Sequence, residues 1–328
     1  MPDAATPTCT AATPPVAATT PTLADPRVAD PLPADSLLAG PLLADEVSTW
    51  FAQHARDLPW RRPGTPAWSV LVSEVMLQQT PVARVLPVYR NWLERWPGPA
   101  DLAADSPGEA VRMWGKLGYP RRALRLHGCA TAIVERHGGQ VPAGLAELLA
   151  LPGVGEYTAR AVQAFAFGKR AAVVDINVRR VLARAVGGQG QPAAPSTNRD
   201  LAAMQAVLPR DDRRAALFCG AMMELGAVLC TAGSPSCSPC PIRHRCAWRL
   251  AGYPPYQGPV ARPQRFTGTD RQVRGLLLDV LRGCADPVPA AALDAVWPDA
   301  DQRRRALDAL VADGLVDPLP DGRYALPS

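Results

Sequence analysis

Four cysteines within seventeen residues limit this chain more tightly than any other feature: Cys230-x6-Cys237-x2-Cys240-x5-Cys246. Four thiolates from one short loop satisfy either a tetrahedral zinc ion or a cubane iron–sulfur cluster. Zinc loops usually come as two C-x2-C knuckles. This loop has one C-x2-C and longer outer spacings, which favours [4Fe–4S]. Left unligated, such thiols in a Pro- and Ser-rich loop would oxidise readily. The loop ends in bases, Arg243, His244, Arg245 and Arg249. A cluster that holds a basic loop against phosphates therefore fits better than an electron carrier. The other cysteines, Cys9, Cys129, Cys219 and Cys284, are scattered. No basic n-region followed by a continuous apolar h-region opens the chain, so a reducing, cytoplasmic setting is expected and disulfides are not.

Around this loop the chain reads as many short helices. Apolar positions recur at helical spacing from Val47, from Trp68 to about Leu77, and over Val82, Val85, Leu86, Tyr89, Leu93 and Trp96. Thr80-Pro81 looks like an N-cap followed by Pro at the first helical position. Further amphipathic segments span 107–117, 121–137, 142–149, 157–167, 176–186, 198–208 and 212–229, each ended by Gly or Pro. Strand signals are nearly absent before residue 315, so an all-α chain is expected. No apolar run of about 18 residues is present, which excludes a spanning helix, and no membrane partner is expected.

Residues 1–45 are expected to be a disordered arm, because the first 46 residues contain eleven Ala, nine Pro and seven Thr. A Pro- and Gly-rich stretch at 251–268 reads as a linker. Residues 269–328 carry three helical patterns, then Leu315-Val316 and Tyr324–Leu326 about a Pro320-Asp321-Gly322 turn. That order resembles a winged-helix module, for which DNA contact and plain packing both remain open. The first 46 residues hold six acids and one base, leaving thirty-four bases and twenty-four acids elsewhere, a net of +10. A basic body is compatible with a polyanionic partner.

Leu151-Pro152-Gly153-Val154-Gly155 sits between two helical patterns. Gly153 and Gly155 permit a tight turn whose N–H groups open the next helix, where the dipole favours a phosphate. Such a contact positions DNA without reading its sequence. Helix–hairpin–helix, an Asp some twenty residues on, and the cysteine spacing together resemble the endonuclease III superfamily of DNA glycosylases. Ser73-Glu74-Val75-Met76-Leu77-Gln78-Gln79-Thr80 narrows the resemblance to the MutY-type adenine glycosylases. Val174-Asp175-Ile176-Asn177-Val178-Arg179-Arg180-Val181 and Leu117-Gly118-Tyr119 match as well, and the likeness covers about 46–250.

The resemblance implies a two-lobed helix–hairpin–helix fold with DNA across the cleft. A six-helix barrel would span 61–171, and an iron–sulfur lobe would combine 46–60 with 172–250. It implies a monofunctional adenine glycosylase of base excision repair, acting on double-stranded DNA with A opposite 8-oxoguanine or G. A monomer associated with a bacterial nucleoid would fit that activity. Glu74 matches the acid that protonates the flipped adenine, and Asp175 the carboxylate that stabilises the sugar cation. Partial burial beside Val70 and Leu71 would raise the Glu74 pKa toward neutrality. Tyr157 stands where strand-cutting relatives carry the Schiff-base Lys, so water should complete the hydrolysis. Tyr157 is expected to bond near the flipped base or Asp175, with Asn177 supporting Asp175. Gln78 and Gln79 match residues that enter the stack, Tyr119 an aromatic wedge beside the opposing purine, and Trp60 and Arg61 pocket-lining groups. Thr80 closes the same motif.

Pro120 replaces a second aromatic common in the family, and Gly220 a Gln or Glu found four residues before the Glu224 position. The Nudix-like C-terminal domain of many members has no counterpart here. Two other functions compete: a glycosylase acting on thymine opposite G, and a cluster-bearing DNA-binding protein without catalysis. The Glu74 motif opposes the first, since acid at N7 needs a purine, and the two carboxylates oppose the second.

Overall fold

The computed structural model describes residues 35–259 and 265–328. Helix α1 (Asp35–His54) begins eleven residues before the Glu46 expected from composition, so the 45/46 boundary falls inside a helix. Leu43, Ala44, Val47 and Trp50 of α1 are buried, and that packing outweighs the breakers Gly40 and Pro41. The expected disorder of 1–34 lies outside the described residues.

A barrel of helices follows: α2 (Ala67–Leu77), α3 (Val82–Arg95), α4 (Pro99–Ala104), α5 (Pro107–Trp114), α6 (Arg121–His137), α7 (Leu145–Leu149) and α8 (Glu156–Phe165). Seven described helices thus stand where six were expected. The addition is α4, a six-residue helix too short to show a period, entered through Pro99 at its first position. The expected cap at the start of α3 also shifts. Pro81 is the N-cap residue itself, and the Thr80 hydroxyl instead donates to the carbonyls of Gln78 and Leu117. Nine consecutive residues of α2, Trp68 to Met76, are buried, so α2 has no solvent face and forms the barrel's axis.

The second lobe comprises α1 with α9 (Ile176–Ala185), α10 (Thr197–Val207), α11 (Asp212–Val228) and α12 (Ala247–Leu250). Its hydrophobic cluster joins Leu43–Trp50 to Ala171–Ile242, and α8 contributes Ala161 and Ala164 from the barrel side. The C-terminal module contains α13 (Asp270–Gly283), β1 (Val288–Pro289), α14 (Ala290–Asp294), α15 (Ala300–Ala312), β2 (Asp317–Pro318) and β3 (Arg323–Ala325). The strands form an antiparallel sheet ordered β1-β3-β2, with Val288 and Pro318 both opposite Tyr324. The sequence pointed to the second and third of these strands, and placed the second two residues early, at the buried Leu315-Val316. Two-residue β1 exists because β3 pairs with it, and α14 begins only after it. One continuous cluster of buried side chains runs from the barrel into this module.

Candidate active site

Glu74 lies on the buried axis helix, 4% exposed. Burial pushes its carboxyl from the ordinary glutamate range to about 7. Tyr157, in the first turn of α8, donates its hydroxyl to Glu74 Oε2 at 2.8 Å. This bond and Arg61 pull the pKa down, while the negative field of Asp175 pushes it up. Tyr157 therefore serves Glu74 rather than Asp175, and burial beside both carboxyls raises its own hydroxyl pKa well above the usual tyrosine value.

Asp175 is the N-cap of α9. Its Oδ1 accepts from the Val178 N–H at 2.7 Å, and its Oδ2 accepts from Asn177 Nδ2 at 2.7 Å. Burial raises its pKa against these bonds. Arg180, one turn on, donates to Asn177 Oδ1 at 2.7 Å, to the Gly226 carbonyl at 2.7 Å and to the Cys230 carbonyl at 2.6 Å. A chain of bonds thus runs from Asp175 through Asn177 and Arg180 to the first cysteine of the loop. Gly226 is required there: a Cβ would stand 2.7 Å from Asn177 Cβ.

Both carboxyls line one large cleft of about 1700 Å³ between the lobes. Trp60, Arg61, Gln78, Gln79, Thr80, Gly153, Gly155, Tyr157 and Asn177 line it too, whereas Tyr119 is not among its lining residues. Trp60 is buried edge-on against Tyr89, with ring centroids 5.1 Å apart. Arg61 Nη2 pairs with Glu224 Oε2 at 2.9 Å, and its buried Nη1 has no partner. Glu224 is fully buried, yet Arg56 and Arg61 overcome burial and hold its carboxyl near 2. Gly220 also lines the cleft; a Cβ there would meet Phe51 at 3.7 Å, an ordinary contact.

At the cleft edge, Gln78 Nε2 donates to Thr158 Oγ1 at 3.3 Å. The Tyr119 hydroxyl donates to Gln79 Oε1 at 2.9 Å, and Tyr119 is 53% exposed. Both Gln79 and Tyr119 have left-handed backbones, with φ of 54° and 49°. Such angles cost non-glycine residues energy and persist only under outside constraint. Arg122 supplies much of that constraint: it donates to the carbonyls of Val75, Met76, Gln78 and Gly118 and to Thr80 Oγ1. It caps α2 and ties the two strained residues together. Sequence reasoning missed Arg122, as it missed Arg56 and Arg180.

The hairpin turn lies between α7 and α8. Gly153 is left-handed at φ 76°, and a Cβ would strike Arg125 Cβ at 2.7 Å. Gly155 differs from expectation. Its backbone is extended, and nothing stands within 4 Å of where a Cβ would project. The protein does not need glycine there for its own packing.

Cys230, Cys237, Cys240 and Cys246 line one small pocket, shared with Leu225, Ile242 and Trp248. Among the described residues no three of His, Cys, Asp or Glu gather closely enough to hold one ion. The sulfurs are nevertheless near enough to feel one another: burial and the other three thiols push Cys240 up to about 11. Arg184 donates to Cys230 Sγ at 3.4 Å and to the Thr231 and Ala232 carbonyls, and stacks on Trp248.

Known proteins similar to this chain are DNA repair enzymes. A family model described as HhH-GPD superfamily base excision DNA repair protein matches residues 72–205. An adenine DNA glycosylase of Mycobacterium tuberculosis is 56% identical over 279 residues, covering 85% of this chain and 91% of that protein. The chain belongs to the MutY-type adenine DNA glycosylases of the helix–hairpin–helix superfamily. Among other members, the human adenine DNA glycosylase is 43% identical over 210 residues, or 61% of this chain and 38% of that protein. A solved thermostable thymine-DNA glycosylase superposes with a TM-score of 0.59 at 27% identity, covering 65% of this chain and 98% of that one. The glycosylase is thus a DNA N-glycosylase by family. No helix among its described residues is long and apolar enough to cross a membrane.

Proposed function

We propose that this glycosylase releases adenine mispaired with 8-oxoguanine or G from double-stranded DNA, as a monofunctional monomer acting in the bacterial cytoplasm at the nucleoid. The observation that carries the proposal is the carboxyl pair: Glu74, which burial raises to a pKa of about 7 and which accepts a bond from Tyr157, lines the cleft together with Asp175. Adenine is a poor leaving group as an anion. Glu74 gives its proton to N7, the C1′–N9 bond breaks, and the bonding pair leaves with the neutral base. The Asp175 carboxylate offsets the positive charge at C1′. Water then adds to C1′ and returns a proton to Glu74. An acid raised toward neutrality beside a second carboxyl suits these two roles.

Position 157 carries not a lysine but Tyr157, whose hydroxyl donates to Glu74, so no amine at that position attacks the sugar. The base must leave the helix to reach Glu74. Gln78, Gln79 and Tyr119 are the groups placed to fill the stack behind it, with Thr80 and Arg122 fixing them. Trp60 and Arg61 line the pocket, and Arg61 Nη1 remains able to donate. Open space at Gly155 and the start of α8 suit a phosphate. Cys230, Cys237, Cys240 and Cys246 would hold a [4Fe–4S] cluster, whose contribution is to fix the basic loop.

Single-turnover base release tests this on duplexes holding A opposite 8-oxoG, A opposite G, and T opposite G, with alkali revealing abasic sites. Adenine release with strand breaks only after alkali is expected. Thymine release, or binding alone, would overturn the proposal. Glu74→Gln should bind the duplex and release nothing.

A further inference from the structure

The C-terminal module resembles a winged helix, yet its charges do not suit DNA. Residues 269–328 hold ten Asp against seven Arg. Arg303, Arg304 and Arg305, in the first turns of α15 where a reading head would carry its cations, face Asp294, Asp301 and Asp270 of the module itself. What the module does hold is the barrel. Arg112 of α5 donates to the carbonyls of Leu281, Arg282 and Cys284, capping the end of α13. Arg282 returns a bond to the Val111 carbonyl at 3.0 Å. The Gly108 N–H bonds the Pro327 carbonyl at 2.7 Å, so closely that no Cβ fits at Gly108.

This dock meets one particular loop. Residues 115–119 join α5 to α6 and present Tyr119, and Gly115, Gly118 and Tyr119 are all left-handed. Two module carboxylates bracket the loop: Asp279 pairs with Lys116 at 3.1 Å, and Asp313 with Arg121 at 3.1 Å. Asp313 is itself fixed by Arg274 of α13, and Asp279 by Arg282 at 3.5 Å. Arg122 anchors the loop from inside the barrel; the module anchors it from outside.

We propose that the C-terminal module is an intramolecular buttress, with Asp279 and Asp313 holding the Tyr119 loop in its strained form and so setting discrimination for the base opposite adenine. Asp279 and Asp313 are positioning residues, and Tyr119 makes the contact. The discrimination half of the proposal rests on the adenine reading of the site, and the buttress half does not.

The test uses the full chain, wild type against Asp279→Asn/Asp313→Asn. Hydrogen exchange of the amides of 115–122 should quicken at least about threefold, the loss of two exposed ion pairs. The ratio of single-turnover adenine release opposite 8-oxoG to that opposite G should fall by about threefold or more, since two weakened pairs are worth that much. Exchange unchanged over 115–122 overturns the buttress. Faster exchange with an unchanged ratio overturns its role in discrimination. If the double variant does not fold, Lys116→Gln/Arg121→Gln cuts the same pairs from the barrel side and is read identically. A wild type that releases no adenine from either duplex defeats the adenine reading instead, and exchange alone then decides the buttress.

Discussion

Glu74 is held in the fold at an electrostatic cost, and its size follows from the site. Its folded pKa of about 7 exceeds the ordinary 4.5 by about 2.5 units, or about 3 kcal/mol at 1.36 kcal/mol per unit. Below 4.5 the carboxyl is protonated in both folded and unfolded chains, and the cost is absent. As pH rises the unfolded chain ionises first, so stability falls until the folded carboxyl ionises as well. Above 7 the whole cost is present. Glu74→Gln keeps the shape and removes the charge. The variant should gain about 1.4 kcal/mol over wild type near pH 5.5 and about 3 kcal/mol near pH 8.5. Urea unfolding read by tryptophan fluorescence checks this, because Trp92, Trp96 and Trp114 are buried in the same barrel. An equal gain at both pH values would refute the reasoning, since it would mean that Glu74 is no more costly to ionise folded than unfolded.

Base release should fall as pH rises through about 7, because it needs protonated Glu74. Tyr157→Phe removes a bond that favours the carboxylate, so the midpoint should move up by about one unit in a single-turnover pH profile. Gly226→Ala places a Cβ 2.7 Å from Asn177 Cβ and should dislodge Asp175 from its support. Base release should drop by about tenfold or more with duplex affinity nearly unchanged, as single-turnover rates and gel shifts would show. Gly153→Ala meets both a left-handed backbone and the Arg125 side chain. It should weaken duplex binding while lowering thermal stability by about 1–2 kcal/mol.

Much of the site was legible because its residues are close in sequence. The cysteines, the hairpin, the Glu74 helix and the cap at Asp175 each lie within one short segment. What stayed hidden depends on partners far along the chain. Arg56 and Glu224 are 168 residues apart, and nothing local marks either as half of a buried pair. Arg122 looks like any base on an amphipathic helix until the ends of α2 and α5 converge on it. The start of α1 was misplaced because Gly40 and Pro41 argue locally against a helix, whereas Val47 and Trp50 have burial against α10 and α11 in their favour. Strand β1 exists only through β3. The Tyr157 contact was expected near the flipped base or Asp175, and its hydroxyl bonds Glu74, a choice that side-chain geometry alone decides.

The lobe that carries the cysteines is assembled from the two ends of a long stretch of chain. Helix α1 packs on α11, whose residues follow it by more than 150 positions, while the barrel core from Leu58 to Val162 is continuous in sequence. During synthesis the barrel can therefore fold while α1 still waits for a partner not yet made. Glu74 lies in that continuous barrel, whereas Asp175 opens α9 of the lobe that α1 and α11 complete. A half-made chain thus leaves the buried face of α1 uncovered, and the helix that covers it, α11, also carries Gly226, against which the Asn177 support of Asp175 packs.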